Sequence, residues 1–476
     1  MTTELVQSRA AEDARSETSI AYMMKLAAPM IVTNISFTVM QFVDRLMVSR
    51  LGTDALAAVL PAGFLCFVPG SFAIGVSTSI NTFVSQSLGR GNLRDCSSYC
   101  WQAIYMGMVY AIITASVLWV WAPHIFHLMG HPEPVIVMEV TYLRILLYSQ
   151  IWTVLIWSCS QFFMGVHRPV ITMYASLVGQ VINVFANYVL IFGKFGAPAM
   201  GIAGAGWGTF MGVAAGAVIR FIAFLTGDTS KRFQSRASLR IDFSKMGGIL
   251  RVGIPAGIAM AVNVSLWGMC LFWLVGMFGK ESLAATSAVF ACVNVSVMPI
   301  VGISTALTAA VGRSIGMGHK GLAMKQTSTS LRIAVVYMGL AGVCFFFFRE
   351  HLMHLWSDDR QVIGIGMNLF ICAAIFQIFD AATIIYTGAL RGAGDTRWLA
   401  AISAFSSTII LGLGGYFLVQ LAPEFGAVGP WIACTANVIF VGLANRWRFK
   451  SMRWAQINIF RPGEAGIPLE IESVVD

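Results

Sequence analysis

Two long stretches without a charged residue constrain the fold of this chain more than any other feature. Residues 254–278 and 284–312 contain no Asp, Glu, Lys or Arg. About twenty apolar residues, at a rise of ~1.5 Å each, cross the ~30 Å hydrocarbon core of a bilayer. Because backbone polar groups cannot stay unpaired in lipid, uninterrupted runs of this length predict transmembrane helices, whereas a barrel would show short alternating segments.

The composition of the whole chain agrees with a membrane protein. It is 57% hydrophobic and 11% charged, with a mean hydropathy of +0.75, which leaves too little polar surface for a water-soluble globule. We therefore predict an all-α integral membrane fold. The twelve predicted spans are residues 24–48, 55–83, 98–121, 135–160, 169–192, 201–225, 247–277, 283–311, 327–349, 362–388, 398–420 and 429–445.

The chain also contains an internal repeat. Residues 75–91 and 302–318 share a first glycine, a Ser-Thr pair two residues later and a Gly-x-Gly ending. The same offset of 227 residues places Gly52 on Gly279. An offset that holds without a gap over roughly forty residues indicates duplication. Two homologous halves in an apolar chain are typical of a transporter that alternates around a central site.

The distribution of basic residues predicts the orientation. With both termini in the cytoplasm, 24 of the 31 Lys and Arg residues fall on the cytoplasmic side. Each half has six spans and starts inside, so the repeats are predicted to be parallel. The net charge of +9 follows from this orientation, and the basic residues form no groove with interleaved aromatics, so we predict no nucleic-acid binding. The expected location is the plasma (inner) membrane, as a multi-pass protein.

Five segments are predicted along the chain. They are a disordered cytoplasmic N-terminal tail (1–20), an N-terminal six-helix lobe (21–227), a basic cytoplasmic linker (228–246), a C-terminal six-helix lobe (247–450) and a cytoplasmic tail (451–476). Pro29 and Pro255 occupy corresponding places in the first span of each lobe. Because proline interrupts the helix hydrogen bonds, both are candidate hinges.

Charged residues inside the predicted spans are scarce, and Asp380 is the clearest of them. It is the only charged residue between positions 361 and 390. A carboxylate at this depth must face water, pair with a cation or hold its proton, and such residues are by default functional. The alternative is a structural acid that forms hydrogen bonds inside the helix bundle.

Asp44 is open to two interpretations from hydropathy alone. It lies beside Arg45 and near Arg50, so it could be solvated at the outer interface or could face a cavity. Asn183 and Asn187 share one face of the fifth span, and amides in such helices most often join helices to each other. Histidines also cluster between the third and fourth spans, where a solvated loop is favoured over a metal site; the cluster comprises His124, His127 and His131, with Glu133.

Several motifs together resemble the multidrug and toxic compound extrusion (MATE) family over residues 21–450. The resemblance implies two six-helix lobes in a V around a central cavity, and export of organic cations or drugs in exchange for Na⁺ or H⁺. The residues that carry it are Gln41-Phe42-Val43-Asp44-Arg45, then 51–58 (LGTDALAA), 183–193 (NVFANYVLIFG), 201–206 (GIAGAG) and 390–397 (LRGAGDTR).

The resemblance also implies where a coupling cation binds. The family's N-lobe site uses an acid on the first helix, Asn and Asp on the fifth and Thr on the sixth, which correspond to Asp44, Asn183, Asn187 and Thr209. Asn187 replaces an acid here, so that Asp44 is the only charge of this site.

A second family site lies in the C lobe, where it binds substrate or a secondary cation. The sodium-coupled branch pairs a glutamate on the seventh helix with an aspartate on the tenth and a tyrosine one turn earlier. Asp380 matches the aspartate, but Asn263 stands near the glutamate position and Phe376 replaces the tyrosine. The resemblance therefore implies a C-lobe site that lacks two of its groups.

The leading hypothesis is thus a cation-coupled antiporter that acts as a monomer in the lipid bilayer on a small cationic or amphipathic substrate, without a cofactor or a bound metal apart from the coupling ion. The alternative is a flippase for a lipid-linked precursor, from the same wider superfamily. Such flippases commonly carry basic residues for an anionic pyrophosphate, whereas the charges buried here are acidic. An enzyme would need a nucleophile, paired acids or a metal cluster, so we predict no enzymatic activity.

Overall fold

The computed structural model describes residues 17–460, apart from the side chains of residues 53, 54, 56 and 269–272. No strand occurs in this range. Twelve helices are long and apolar enough to cross a membrane, which confirms the predicted number and order of spans. They are α1 (Ile20–Ser49), α2 (Thr53–Gly89), α3 (Leu93–Leu128), α4 (Glu133–Gly165), α5 (Pro169–Phe192), α6 (Ile202–Leu225), α7 (Phe243–Gly276), α8 (Lys280–Gly316), α9 (Lys320–Phe347), α10 (Arg360–Gly392), α11 (Thr396–Leu421) and α12 (Val428–Lys450).

Short helices connect some of the spans. The predicted linker contains a helix at Gly227–Phe233 and a 3₁₀ turn at Ser235–Ala237, and another short helix follows α9 at Arg349–His354. Glu17, which belongs to the tail predicted as disordered, forms an ion pair with Arg313 at 2.9 Å; residues 1–16 lie outside the described range. After α12, the ring of Trp454 stacks on Phe449 with centroids 5.1 Å apart, so the described part of the C-terminal tail is packed.

The repeat seen in the sequence is reproduced in the backbone. Gly52 before α2 has φ 113° and ψ 174°, and its equivalent Gly279 before α8 has φ 99° and ψ 175°. Asn92 before α3 and its equivalent His319 before α9 have φ/ψ of −86°/77° and −87°/75°. Both loops of the motif therefore have nearly the same conformation, and the glycines at 52 and 279 supply a φ that other residues rarely adopt.

Two stretches break this symmetry. The helix widens to π geometry at Leu266–Cys270 in α7 and at Ser407–Gly414 in α11, and the two stretches contact each other. The equivalent residues 39–43 of α1 and 180–187 of α5 are regular α-helix. The second half of the chain thus differs from the first in the same helices whose first-half equivalents hold Asp44 and Asn183.

By its contacts the chain divides into two compact units. The first comprises Val32–Gly257, and the second comprises the residues up to Ile31 together with those from Ile258 onward. The boundaries fall inside α1 and α7, two residues after Pro29 and Pro255, and not in the linker at 228–246. The first turns of α7 therefore pack with α2–α6, and the first turns of α1 pack with α8–α12.

The repeated glycine of the motif explains this packing. In the first unit, a Cβ added to Gly75 of α2 would lie 2.5 Å from the carbonyl oxygen of Ala256 and 2.6 Å from Cα of Gly257, both in α7. In the second unit, a Cβ at the equivalent Gly302 of α8 would lie 3.0 Å from the backbone nitrogen of Ile31 in α1. Each glycine lets a helix carrying a proline approach closely at the unit boundary.

Candidate functional site

Four polar side chains of the first unit meet between α1, α5 and α6. Asn187 Nδ2 donates hydrogen bonds to Asp44 Oδ1 at 2.8 Å and to Asn183 Oδ1 at 3.4 Å. Asn183 Nδ2 donates to the hydroxyl of Thr209 at 3.4 Å, and that hydroxyl donates to the carbonyl of Ala205 at 3.0 Å. The structure thus brings together all four residues for which the resemblance implied an N-lobe site.

Glycines of α6 create the space for the two amides. Gly204, Gly208, Gly212 and Gly216 recur at every fourth position of α6 and therefore share one face. A Cβ at Gly208 would overlap the amide oxygen of Asn187, and a Cβ at Gly212 would lie 2.5 Å from Cβ of Asn183. Small residues at this spacing let two membrane helices pack backbone to backbone, so the glycines place the asparagines directly against α6.

Asp44 is half-buried and has no cationic partner within residues 17–460. Its environment resolves the two interpretations left by hydropathy, because a side chain that contacts Asn187 of α5 faces the bundle. The Oδ1 atom of Asn187 is buried and accepts no hydrogen bond. A carboxylate without a cation next to an unpaired amide oxygen is an arrangement that a proton or a small hard cation would complete.

Sequence reasoning missed Tyr142 of α4. This side chain lies close enough to interact electrostatically with Asp44 and through its hydroxyl with Thr209. A tyrosine in an apolar span carries no sequence signal of its own, so only the packing of α4 against α1 and α6 identifies it. It supplies a further oxygen at the edge of the cluster.

In the second unit, the predicted C-lobe residues are not joined in the same way. Asp380 of α10 is half-buried and forms no hydrogen bond or ion pair with any described side chain, although it lies within electrostatic range of Cys434. Phe376 is 1% exposed and stacks on Trp431 with centroids 6.3 Å apart, so it belongs to the apolar core. Asn263 of α7 is exposed.

A pair of equivalent glutamines was also missed. Gln150 of α4 donates to Cys66 Sγ at 2.9 Å, and Gln377 of α10, at the repeat offset, donates to Ser296 Oγ at 2.6 Å. Each bond joins the fourth helix of a repeat to its second helix. The repeat offset would have found the pair, had it been applied to α4 and α10 as it was to α2 and α8.

The histidines after α3 form separate pairs. His127 lies 3.0 Å from Glu133, and His131 lies 2.7 Å from Glu139, whose side chain is fully buried. In the described part of the chain, no group of three or more His, Cys, Asp or Glu side chains could hold a metal ion. These pairs join the loop to α4.

Comparison with known proteins agrees with this geometry. The family model described as MatE matches the chain twice, at residues 29–189 and 255–416. The two matches begin 226 residues and end 227 residues apart, which confirms the internal repeat. The first match contains Asp44, Asn183 and Asn187, and the second contains Asp380.

Curated relatives and solved structures match nearly the whole chain. A probable multidrug resistance protein NorM of Mesorhizobium japonicum is 29% identical over 89% of this chain and 92% of its own length. The multidrug resistance protein MdtK of Yersinia pseudotuberculosis is 26% identical over 89% and 94%. The crystal structure of the eukaryotic MATE transporter AtDTX14 has a TM-score of 0.82 at 19% identity, over 91% and 96%, which shows a shared fold.

Proposed function

Because the chain belongs to the MatE family of multidrug efflux transporters, we propose that it is a secondary active antiporter. It exports organic cations or drugs across the inner membrane and takes up Na⁺ or H⁺ in exchange. The family is one of multi-pass membrane transporters, and its members named above are not enzymes. The substrate class and the coupling are our proposal, and both rest on the Asp44 cluster.

The observation that carries the proposal is the Asp44 carboxylate with its unpaired neighbour Asn187 Oδ1. Na⁺ prefers oxygen ligands, and the cluster offers them from the carboxylate, from the two amides and from the Thr209 hydroxyl. A proton would bind to the carboxylate itself. The cluster has one acid, since Asn187 is uncharged, so a single monovalent cation neutralises it.

Neutralisation of one carboxylate can couple ion and cargo. A charged Asp44 is costly inside the bundle, so the transporter state that exposes it to water is favoured when it is empty. A bound cation removes this cost and favours another state. If the cargo prefers the state with an empty Asp44, ion and cargo oppose each other without sharing a pocket.

The acidic character of the polar groups inside the spans supports a cationic cargo. Asp44 and Asp380 both lack a cationic partner among the residues at 17–460. A lipid-linked pyrophosphate would meet repulsion from such groups, which disfavours the flippase alternative.

The test uses the purified chain in vesicles loaded with a cationic fluorescent dye, with Na⁺ and pH gradients imposed separately. We expect one of the two gradients to drive concentrative dye transport by the wild type. Asp44→Asn should abolish this transport and leave at most a leak that ignores the gradient. Asp380→Asn is the matched control, since it removes an equal charge from the other unit and should still respond to the gradient.

Two results would contradict the proposal. If neither gradient drives dye transport by the wild type, the protein is not an antiporter of this class. If Asp44→Asn still concentrates the dye while Asp380→Asn loses all response, the coupling site lies in the C lobe.

A further inference from the structure

A cavity of about 470 Å³ opens where the linker passes the ends of α3 and α6 in the first unit. Its walls are almost entirely apolar, and two of the side chains, Ile222 and Leu239, are 55% and 49% exposed. The cavity is lined by Trp101, Ile222, Leu225, Thr226, Arg236 and Leu239. Since α6 ends at Leu225 and the basic linker follows, the cavity lies where the predicted cytoplasmic boundary of the bilayer meets the protein.

The linker wall of this cavity is held in place by α3. Trp101 Nε1 donates to the carbonyl of Ser235 at 2.8 Å, and the Tyr105 hydroxyl donates to that of Leu239 at 2.9 Å. Gln102 donates to the carbonyl of Arg240 at 2.9 Å and accepts from the backbone of Asp242 at 3.0 Å. Four bonds from one helix therefore fix residues 235–242, and the cavity exists before any ligand binds.

Arg236 stands at the polar edge of the cavity. Its Nε donates to the carbonyl of Leu225, the last residue of α6, at 2.7 Å. This bond fixes the guanidinium, while its two Nη atoms form no hydrogen bond or ion pair with the described residues. A guanidinium that is held by Nε and open at both Nη atoms presents the paired donors that match a phosphate.

We propose that this cavity binds one anionic phospholipid of the cytoplasmic leaflet. The acyl chain lies against Trp101, Ile222 and Leu239, and the phosphate accepts hydrogen bonds from both Nη atoms of Arg236. Neither part of the site suits a different occupant: an apolar cavity at the bilayer boundary attracts no water-soluble anion, and a hydrocarbon alone leaves the guanidinium unused.

The surrounding charge favours an anionic headgroup over a zwitterionic one. Lys231, Arg232 and Arg240 are exposed on the same linker, whereas Asp228 is paired with Arg168. Juxtamembrane basic residues attract anionic lipid by about 1 kcal/mol each near the surface. The linker therefore concentrates anionic lipid generally, and Arg236 with its cavity selects one molecule of it.

Native mass spectrometry of the full-length protein in detergent tests the site, with phosphatidylglycerol, phosphatidylcholine and glycerol 3-phosphate as separate probes. We expect one phosphatidylglycerol to bind more tightly than phosphatidylcholine, and no binding of glycerol 3-phosphate. Arg236→Gln should weaken phosphatidylglycerol binding roughly tenfold, as expected for loss of a charge-assisted bond. Arg240→Gln is the matched control, because it removes the same charge from the same linker outside the cavity, and it should weaken binding less than about threefold.

Leu239→Ser tests the apolar wall and leaves Arg236 intact, so the proposal can be judged even if Arg236→Gln folds poorly. We expect this variant to lower phosphatidylglycerol binding too. Equal effects of Arg236→Gln and Arg240→Gln would show diffuse attraction and overturn the site. Equal binding of phosphatidylcholine, or binding of glycerol 3-phosphate that depends on Arg236, would overturn the assignment to an anionic lipid.

Discussion

Replacement of Gly75 by alanine tests the helix contact at the unit boundary. The added Cβ would lie 2.5 Å from a carbonyl oxygen and 2.6 Å from a Cα of α7, and neither backbone atom can rotate away. To restore an ordinary contact of at least 3.4 Å, α2 and α7 must separate by roughly 1 Å. Overpacking of this kind costs about 1–3 kcal/mol. The better helix propensity of alanine offsets up to ~1 kcal/mol of it.

Gly63→Ala is the matched control on the same helix, since nothing lies within 4 Å of its added Cβ. It keeps only the propensity gain and should stabilise the protein by up to ~1 kcal/mol. We expect opposite shifts of the melting temperature in detergent, followed by tryptophan fluorescence, of about 2–4 °C per kcal/mol for a unit of this size. Gly302→Ala should fall between them, because its closest contacts are 3.0 Å. A melting temperature of Gly75→Ala at or above that of Gly63→Ala would refute the close contact between α2 and α7.

Three further predictions follow from the repeat and the spans. His167 has φ 61° where its repeat equivalent Gly394 has φ 84°, so His167→Gly should raise stability by roughly 1 kcal/mol in thermal unfolding, and no gain would mean that its side-chain contacts outweigh the strain. Cysteines introduced by Asn92→Cys and His319→Cys should be labelled from the cytoplasmic side alone, and labelling of either one from outside intact cells would contradict the orientation and the parallel repeats. Asp380→Asn should lower efflux of cationic dyes with little change in melting temperature, and wild-type efflux across the pH range would mark Asp380 as structural.

The number of spans and their order could be predicted from the sequence because each span is an uncharged run of bilayer length. The repeat offset also predicted the shared loops, whose backbone angles agree within several degrees at Asn92 and His319. Boundaries were less accurate: α2 and α3 extend beyond the predicted spans at both ends. Polar helix ends project past the hydrocarbon, so hydropathy does not record them.

The candidate site was only partly predictable. Hydropathy left Asp44 between the interface and the bundle, and only the contact with Asn187 on another helix decides it. Tyr142 was missed for the same reason, since its place depends on how α4 packs. The unit boundaries inside α1 and α7 were not predictable either, because they follow from the contact of Gly75 with a helix almost two hundred residues away in the chain.

The unit boundaries at Ile31 and Gly257 have a consequence for how such a chain arises. Each half supplies the opening turns of its first helix to the other half's unit, so a product of one unduplicated gene would have lacked part of its own core. It could complete that core only with the same segment from a second copy, in a reciprocal exchange. The fusion would then have made permanent a partnership that began between separate molecules. Residues 1–240 and 241–476 expressed from two genes should accordingly accumulate in the membrane together and be degraded when either is made alone; accumulation of one half by itself would contradict this origin.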